Sequence, residues 1–155
     1  MAQDLDQLNQ WASGLLASLS NSSRKALASL IAKDLRTANQ ARMTAQTAPD
    51  GTPYAPRKPQ IRQRAGQRKV RSRLMFKKLR LNQNLKVRST SAAAVVEFAG
   101  AVQRIAQVHH HGLRDRVHKG GKGPEVEYTA RPLIGISEGD TQRITDLILG
   151  HLSRQ

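Results

Sequence analysis

"LKVRSTSAAAVVEFAGAVQRIAQVHHHG", residues 85–112, changes its hydrophobic period from that of a strand to that of a helix. Leu85, Val87 and Ser89 alternate with Lys86, Arg88 and Thr90 over 85–91, the period-two pattern of a half-buried strand. Residues 93–100 place Val95, Val96 and Phe98 around Glu97, and the two segments together predict an antiparallel hairpin. The spacing then widens. Val102, Ile105, Ala106 and Val108 predict a short helix over 101–111 with these residues inward. Gly112 ends it, because glycine enters the left-handed backbone region without steric cost. Strand, strand and helix in succession make the chain α/β rather than all-helical.

Upstream of this stretch the pattern is helical. Leu5, Leu8, Ala12, Leu15 and Leu19 recur at spacings of three and four, with Trp11 and Leu16 widening the stripe, and predict an amphipathic helix over 4–20. "SNSS" (20–23) supplies capping residues. A second helix is expected from Ser23 to Thr47, with Leu27, Leu30, Ile31, Leu35, Ala38 and Ala45 inward. So short a connection predicts antiparallel packing of the two. "APDGTPYAPRKP" (48–59) cannot be helix or central strand, since Pro49, Pro53, Pro56 and Pro59 each fix φ and remove a backbone donor. Pro53, Tyr54 and Pro56 are expected to set the direction in which the chain leaves the long helix. Leu74, Met75, Phe76 and Leu79 predict a short helical anchor over 71–79.

Downstream, 113–128 reads as a Gly- and Lys-rich loop leading into a short strand at 125–128. "RPLIGIS" (131–137) predicts a further strand, with Pro132 at its start or on an edge. "SEGD" (137–140) fits a capping box, opening a last helix to Leu152 with Ile144, Leu147, Ile148 and Leu152 buried. The expected fold is α/β (α+β). It has an N-terminal helical hairpin, a small mostly antiparallel sheet, a short central helix and a C-terminal helix. One domain spans 1–155, divided into a helical hairpin (1–48), a Pro-rich and basic arm (49–73) and a sheet-and-helix body (74–155). Its predicted core includes Leu30, Ile31, Leu35, Phe98, Ile105, Leu133, Ile136 and Ile148.

Charge is concentrated in one place. The chain has 26 Lys and Arg against 11 Asp and Glu, a formal net charge of +15. Residues 57–80 hold eleven of the basic residues and no acid, which leaves the other 131 residues a net +4. Such a stretch repels itself and seeks phosphates or acidic protein surfaces. Its candidate partner- or DNA-facing residues are Arg57, Lys58, Arg62, Arg64, Arg68, Lys69, Arg71 and Arg73. Aromatics that could stack on bases are absent from 57–75, which argues against readout of single strands. Two uses remain open: sequence-independent contact with double-stranded DNA, and docking on an acidic protein surface.

Several chemistries are disfavoured. With no cysteine there is neither a disulfide nor a thiolate metal site. The polar, acidic "MAQDLDQLNQ" is unlike a signal peptide, and no apolar run approaches the roughly 18 residues of a membrane span. His109, His110 and His111 would point about 100° apart on a helix, so they cannot converge on one ion. They are expected to serve a helix end, whose last carbonyls lack partners, with one imidazole packed inward and hydrogen-bonded. Gly120-Gly121-Lys122-Gly123 lacks the spacing of a phosphate loop, and no G-x-S-x-G is present. No catalytic residue, metal or cofactor is expected.

Three stretches stand in order along the chain: "APDGTPYAPRKP" after a long helix, "IAQVHHHGLRDR" in the middle, and "YTARPLIGIS" before a terminal helix. Together they resemble the tail completion, or virion morphogenesis, proteins of contractile-tailed bacteriophages, over roughly residues 10–152. The chain departs from that pattern at His111, where relatives often carry an aromatic residue. The resemblance implies a small structural α/β protein that ends the growing tail at its head-proximal end and prepares it to join the capsid. It implies a homo-oligomeric ring, commonly of six subunits, assembled in the host cytoplasm. The implied partners are the tail tube protein, the sheath and the head connector. It implies no enzymatic activity and no cofactor. The alternative from charge alone is a sequence-independent nucleic-acid-binding protein acting through the basic stretch.

Overall fold

The computed structural model describes residues 2–57, 74–118 and 122–154. Helix α1 (Ala2–Ala17) and helix α2 (Asn21–Ala45) open the chain. The Ser20 hydroxyl caps α2 by accepting the Ser23 N–H at 3.1 Å. Strands β1 (Leu85–Ser89) and β2 (Ala94–Phe98) form the expected antiparallel hairpin, with Leu85 opposite Phe98 and Ser89 opposite Ala94. Helix α3 (Gly100–His111) follows, and Gly112 ends it at φ 68°. Strands β3 (Arg114–His118) and β4 (Lys122–Glu127) make a second two-stranded sheet, and helix α4 (Glu138–Leu152) closes the fold. The fold is mixed α/β, with antiparallel pairing in both sheets.

Two apolar clusters hold it together. One gathers Met43, Leu79, Leu85 and Leu133 with Val96 and Phe98 at its margin. The other joins Ala12 and Leu19 with Leu27, Leu35, Ile144 and Ile148, and Ile31 and Ile136 border it. α4 is the common partner here: α2 packs along it, and α1 packs on it more closely than on α2. Ala12 of α1 and Leu19 after it share this cluster with Leu27 and Leu35 of α2, and α4 completes it. The Leu15 side chain lies outside the described residues.

Between the clusters runs a buried polar junction. Asp140 is fully buried, and its carboxylate accepts the Ser137 N–H at 2.8 Å while the Ser137 hydroxyl accepts the Asp140 N–H at 3.2 Å, completing the capping box. Arg42 of α2 pairs with Asp140 at 2.8 Å, and Arg143 bonds both Asp140 and, at 3.1 Å, Asp34. Burial pushes the Asp140 pKa up, but the Ser137 N–H, Arg42 and Arg143 outweigh it and hold the carboxyl below its ordinary value.

Five expectations are corrected. Leu30 is 41% exposed, because the buried stripe of α2 runs through Leu27, Ala28, Ala32, Leu35, Asn39 and Met43 and leaves Leu30 on the far side. Ile105 is 50% exposed, since α3 turns Ala106 and Val108 inward and no described element covers Ile105. Residues 74–79 form turns instead of a helix: Phe76 sits at φ 63°, outside the helical region, and of this anchor only Leu79 is fully buried. Residues 113–128 contain two paired antiparallel strands, missed because cross-strand charge pairs such as Arg114 opposite Glu127 replace apolar alternation. Residues 131–137 are extended but not a strand. Side chains take the backbone groups that a neighbouring strand would otherwise satisfy, as the next section describes.

Candidate interaction site at the root of the basic stretch

The basic stretch leaves the described fold after Arg57 and re-enters it at Leu74. Both ends are fixed at one place. Gln46, just past α2, adopts the left-handed conformation at φ 60°. Its carbonyl accepts the Tyr54 N–H at 2.7 Å, closing the turn through Pro49 and Pro53. Inside that turn Asp50 accepts both the N–H and the hydroxyl of Thr52, at 2.9 and 2.6 Å. The Gln46 side-chain amide then grips the far end. Its Oε1 accepts the Met75 N–H at 2.9 Å and its Nε2 donates to the Met75 carbonyl at 3.1 Å. One residue thus ties entrance and exit together.

Arg131 makes the second tie. It is 6% exposed, and its guanidinium donates to the carbonyls of Ala55 (2.8 Å), Pro56 (3.0 Å) and Thr129 (3.2 Å). The Tyr54 hydroxyl donates to the Pro132 carbonyl at 3.1 Å, and burial pushes its pKa up to about 12, partly opposed by Arg42. Further along, the Leu133 N–H donates to His110 Nδ1 at 3.1 Å and the Gly135 N–H to Asn39 Oδ1 at 2.9 Å. Arg42 donates to the Gly135 carbonyl at 3.1 Å. The segment 131–137 is therefore a spine pinned by α2, α3 and the proline loop. Close approach makes two glycines specific: a Cβ on Gly112 would lie 2.7 Å from the Ala130 nitrogen, and one on Gly135 2.6 Å from Pro49 Cγ.

An aromatic ladder crosses the same place. Tyr54 meets Phe76 edge-on at 5.6 Å between centroids, Phe76 meets His109 at 5.1 Å, and His109 meets Tyr128 at 4.9 Å. The entrance, the exit, the histidine triplet and the end of β4 share one stack. Burial, with the charges of Arg131 and Arg57, holds His109 below its ordinary pKa, and burial and His111 do the same for His110. Two imidazoles are thus structural where one was expected: His109 in the stack and His110 as an acceptor for the spine. His111, itself exposed, meets His110 edge-on at 4.6 Å between centroids.

Of the loop residues singled out in the sequence, Tyr54 is buried at the centre of this root, and Pro53 and Pro56 are exposed around it. Arg57 is exposed at its rim. Lys58, Arg62, Arg64, Arg68, Lys69, Arg71 and Arg73 lie outside the described residues, as do Gly120 and Gly121. Gln46 and Arg131 escaped sequence reading. Their signals were a polar residue directly after a long helix and a lone cation before the apolar run "PLIGI". Among the described residues no group of three or more His, Asp or Glu is placed to hold a metal ion, and no helix is long and apolar enough to cross a membrane.

Comparison with known proteins agrees with this geometry in extent. The phage virion morphogenesis family matches residues 3–153, so the match includes α2, the basic stretch, the spine and α4. Tail completion protein S of Escherichia phage P2 is 45% identical over 143 residues, which cover 91% of this chain and 92% of that protein. No solved structure matches. With a family match over nearly its whole length and a relative of that identity and coverage, the chain belongs to the phage virion morphogenesis family.

Proposed function

We propose that this chain is a structural protein that completes a phage tail. It acts as a homo-oligomeric ring, of six subunits in the arrangement the family resemblance implies. The ring caps the last ring of the tail tube, blocks further addition of tube subunits and offers a new surface to the head connector, with the sheath as a neighbour. The observation that carries this reading is the 45% identity to a tail completion protein across 91% of the chain. The fold supports it: a root tied by Gln46 and Arg131 holds both ends of residues 57–74, which carry eight basic residues and no acid and suit contact with an acidic partner. No catalytic step is assigned, and no metal or cofactor enters the mechanism. The same stretch serves non-specific contact with double-stranded DNA as the genome passes the ring.

The test uses purified chain, purified tail tubes and free tube subunits. Added chain should bind tube ends and stop elongation at far below one copy per tube subunit. Changing Arg62, Arg64, Arg68, Lys69 and Arg71 to Gln should weaken that binding, with the difference from wild type shrinking as salt rises. Tubes that elongate unchanged in the presence of the wild-type chain would overturn the proposal.

A further inference from the structure

In a chain with 26 bases and 11 acids, every acid has bases to spare. Most described acids outside the first and last helices are paired: Asp34 with Arg143, Glu97 with Arg88, Asp115 with Arg104 and Glu127 with Arg114. The outer surfaces of α1 and α4 are different. Asp6, Glu138 and Asp146 are exposed there, and none of them has an ion-pair partner among the described residues. Asp146 accepts only the Gln142 amide, at 3.2 Å. Residues 1–23 contain no Lys or Arg at all, and Arg143, the single such residue within α4, is engaged by Asp34 and Asp140. The same two helices expose large apolar side chains: Trp11, the chain's one tryptophan, at 46%, and Leu149 at 47%. Carboxylates without a counter-charge and exposed large apolar side chains on the same two helices are the composition of an interface that is not yet covered. The matching surplus lies elsewhere in the same molecule, in residues 57–80.

From this complementarity we infer that the α1–α4 surface receives the basic stretch of a second copy of this chain, making a head-to-tail contact. Two different patches meet, so a contacting pair keeps one of each free, and such contacts close into rings when the rotation allows. The inference rests on the ring reading above and adds to it the acceptor surface and its occupant.

The experiment uses full-length protein and two variants. The acceptor variant carries Asp6→Asn, Glu138→Gln and Asp146→Asn, together with Trp11→Phe so that it is silent in tryptophan fluorescence. The donor variant carries Arg62→Glu, Arg64→Glu, Arg68→Glu and Lys69→Glu and keeps Trp11. Wild type should sediment as an oligomer larger than a dimer, with Trp11 emission moving to the blue as concentration rises. Each variant alone should associate at least tenfold more weakly and show an unchanged far-ultraviolet circular dichroism spectrum. Mixed one to one they should form a dimer and no larger species, because only one productive contact remains, and Trp11 of the donor variant should shift to the blue. Variants that assemble like wild type, or a mixture that stays monomeric while each variant is folded, would overturn the inference. A wild-type chain that stays monomeric at all concentrations would overturn it as well, leaving the acidic surface to another protein. If the variants assemble normally and wild type still stops tube growth, this inference alone fails and the tail-completion reading stands.

Discussion

Arg131→Lys isolates the contribution of the root. Arg131 satisfies three carbonyls, those of Ala55, Pro56 and Thr129, from a nearly buried position. A lysine ammonium keeps the charge but lacks the planar fork, and from the same backbone it reaches one of the three. Two charge-assisted bonds are lost, each worth about 1.5–3 kcal/mol. Water entering beside the exposed Pro56 recovers part of this, so the net cost is about 2–4 kcal/mol. For a domain of this size that corresponds to a drop of about 5–15 °C in melting temperature. The assay is thermal unfolding followed by circular dichroism and by Trp11 fluorescence, with Arg57→Gln as a control that removes an exposed cation of the same root. The control should melt within about 2 °C of wild type, as a surface change should. If Arg131→Lys also melts within that margin, the clamp does not stabilise the root and the reasoning built on it is wrong. A second readout follows from position. Partial loosening at 20 °C, where the variant is still folded, should increase proteolysis next to Arg57 more than at α4.

Asp140→Asn should cost about 3–5 kcal/mol in denaturant unfolding, because it leaves Arg42 in the interior without its counter-charge. The depressed pKa of Asp140 also sets a sign: its contribution is complete above the ordinary value of 3.8 and is lost as pH falls through the lower folded value, so acid unfolding should become less steep in the variant. His109 and His110 have depressed folded pKa values too, so their stability is complete above the ordinary 6.5 and lost as pH falls below it. His109→Phe keeps a ring in the ladder and should remove up to about 1.4 kcal/mol per pH unit of that slope, measured by unfolding between pH 7 and pH 5. Gly112→Ala should cost about 2–4 kcal/mol, since it combines φ 68° with a Cβ that meets the Ala130 backbone at 2.7 Å, whereas Gly150→Ala, in open helix, should be neutral or slightly stabilising.

What was legible in the sequence was local. The β1–β2 hairpin followed from alternation within sixteen residues, and the capping box of α4 from the four residues Ser137 to Asp140. The end of α3 at Gly112 needed only the glycine. What was not legible depends on partners far away in the chain. Gln46 reads as an ordinary polar residue after a helix until Met75, 29 positions on, is beside it. Arg131 reads as a strand-edge cation until Ala55 and Pro56 arrive from 76 and 75 positions upstream. The strand expected at 131–137 failed for the same reason: Leu133 is buried and Ile134 and Ile136 are half-buried, but the backbone partners are the side chains of His110, Asn39, Arg42 and Tyr54. Leu30 and Ile105 were misplaced because a helical stripe chosen by hydrophobicity alone ignores small buried residues. Ala28, Ala32 and Ala106 mark the inner faces of α2 and α3 better than the larger exposed residues do. The ladder was hinted at by scarcity. The chain has two Phe and two Tyr, and three of these four rings meet at the root.

The central claim, that this chain completes a phage tail, is tested most directly in a phage from which its gene is deleted. Particles made without the chain should be separate filled heads and unjoined tails, the tails ending in unsealed or overlong tubes under the electron microscope. Supplying the wild-type chain from a plasmid should restore uniform tails joined to heads, and the joined particles should contain the chain at the junction. Normal, infectious, joined particles assembled in the absence of the chain would contradict the account.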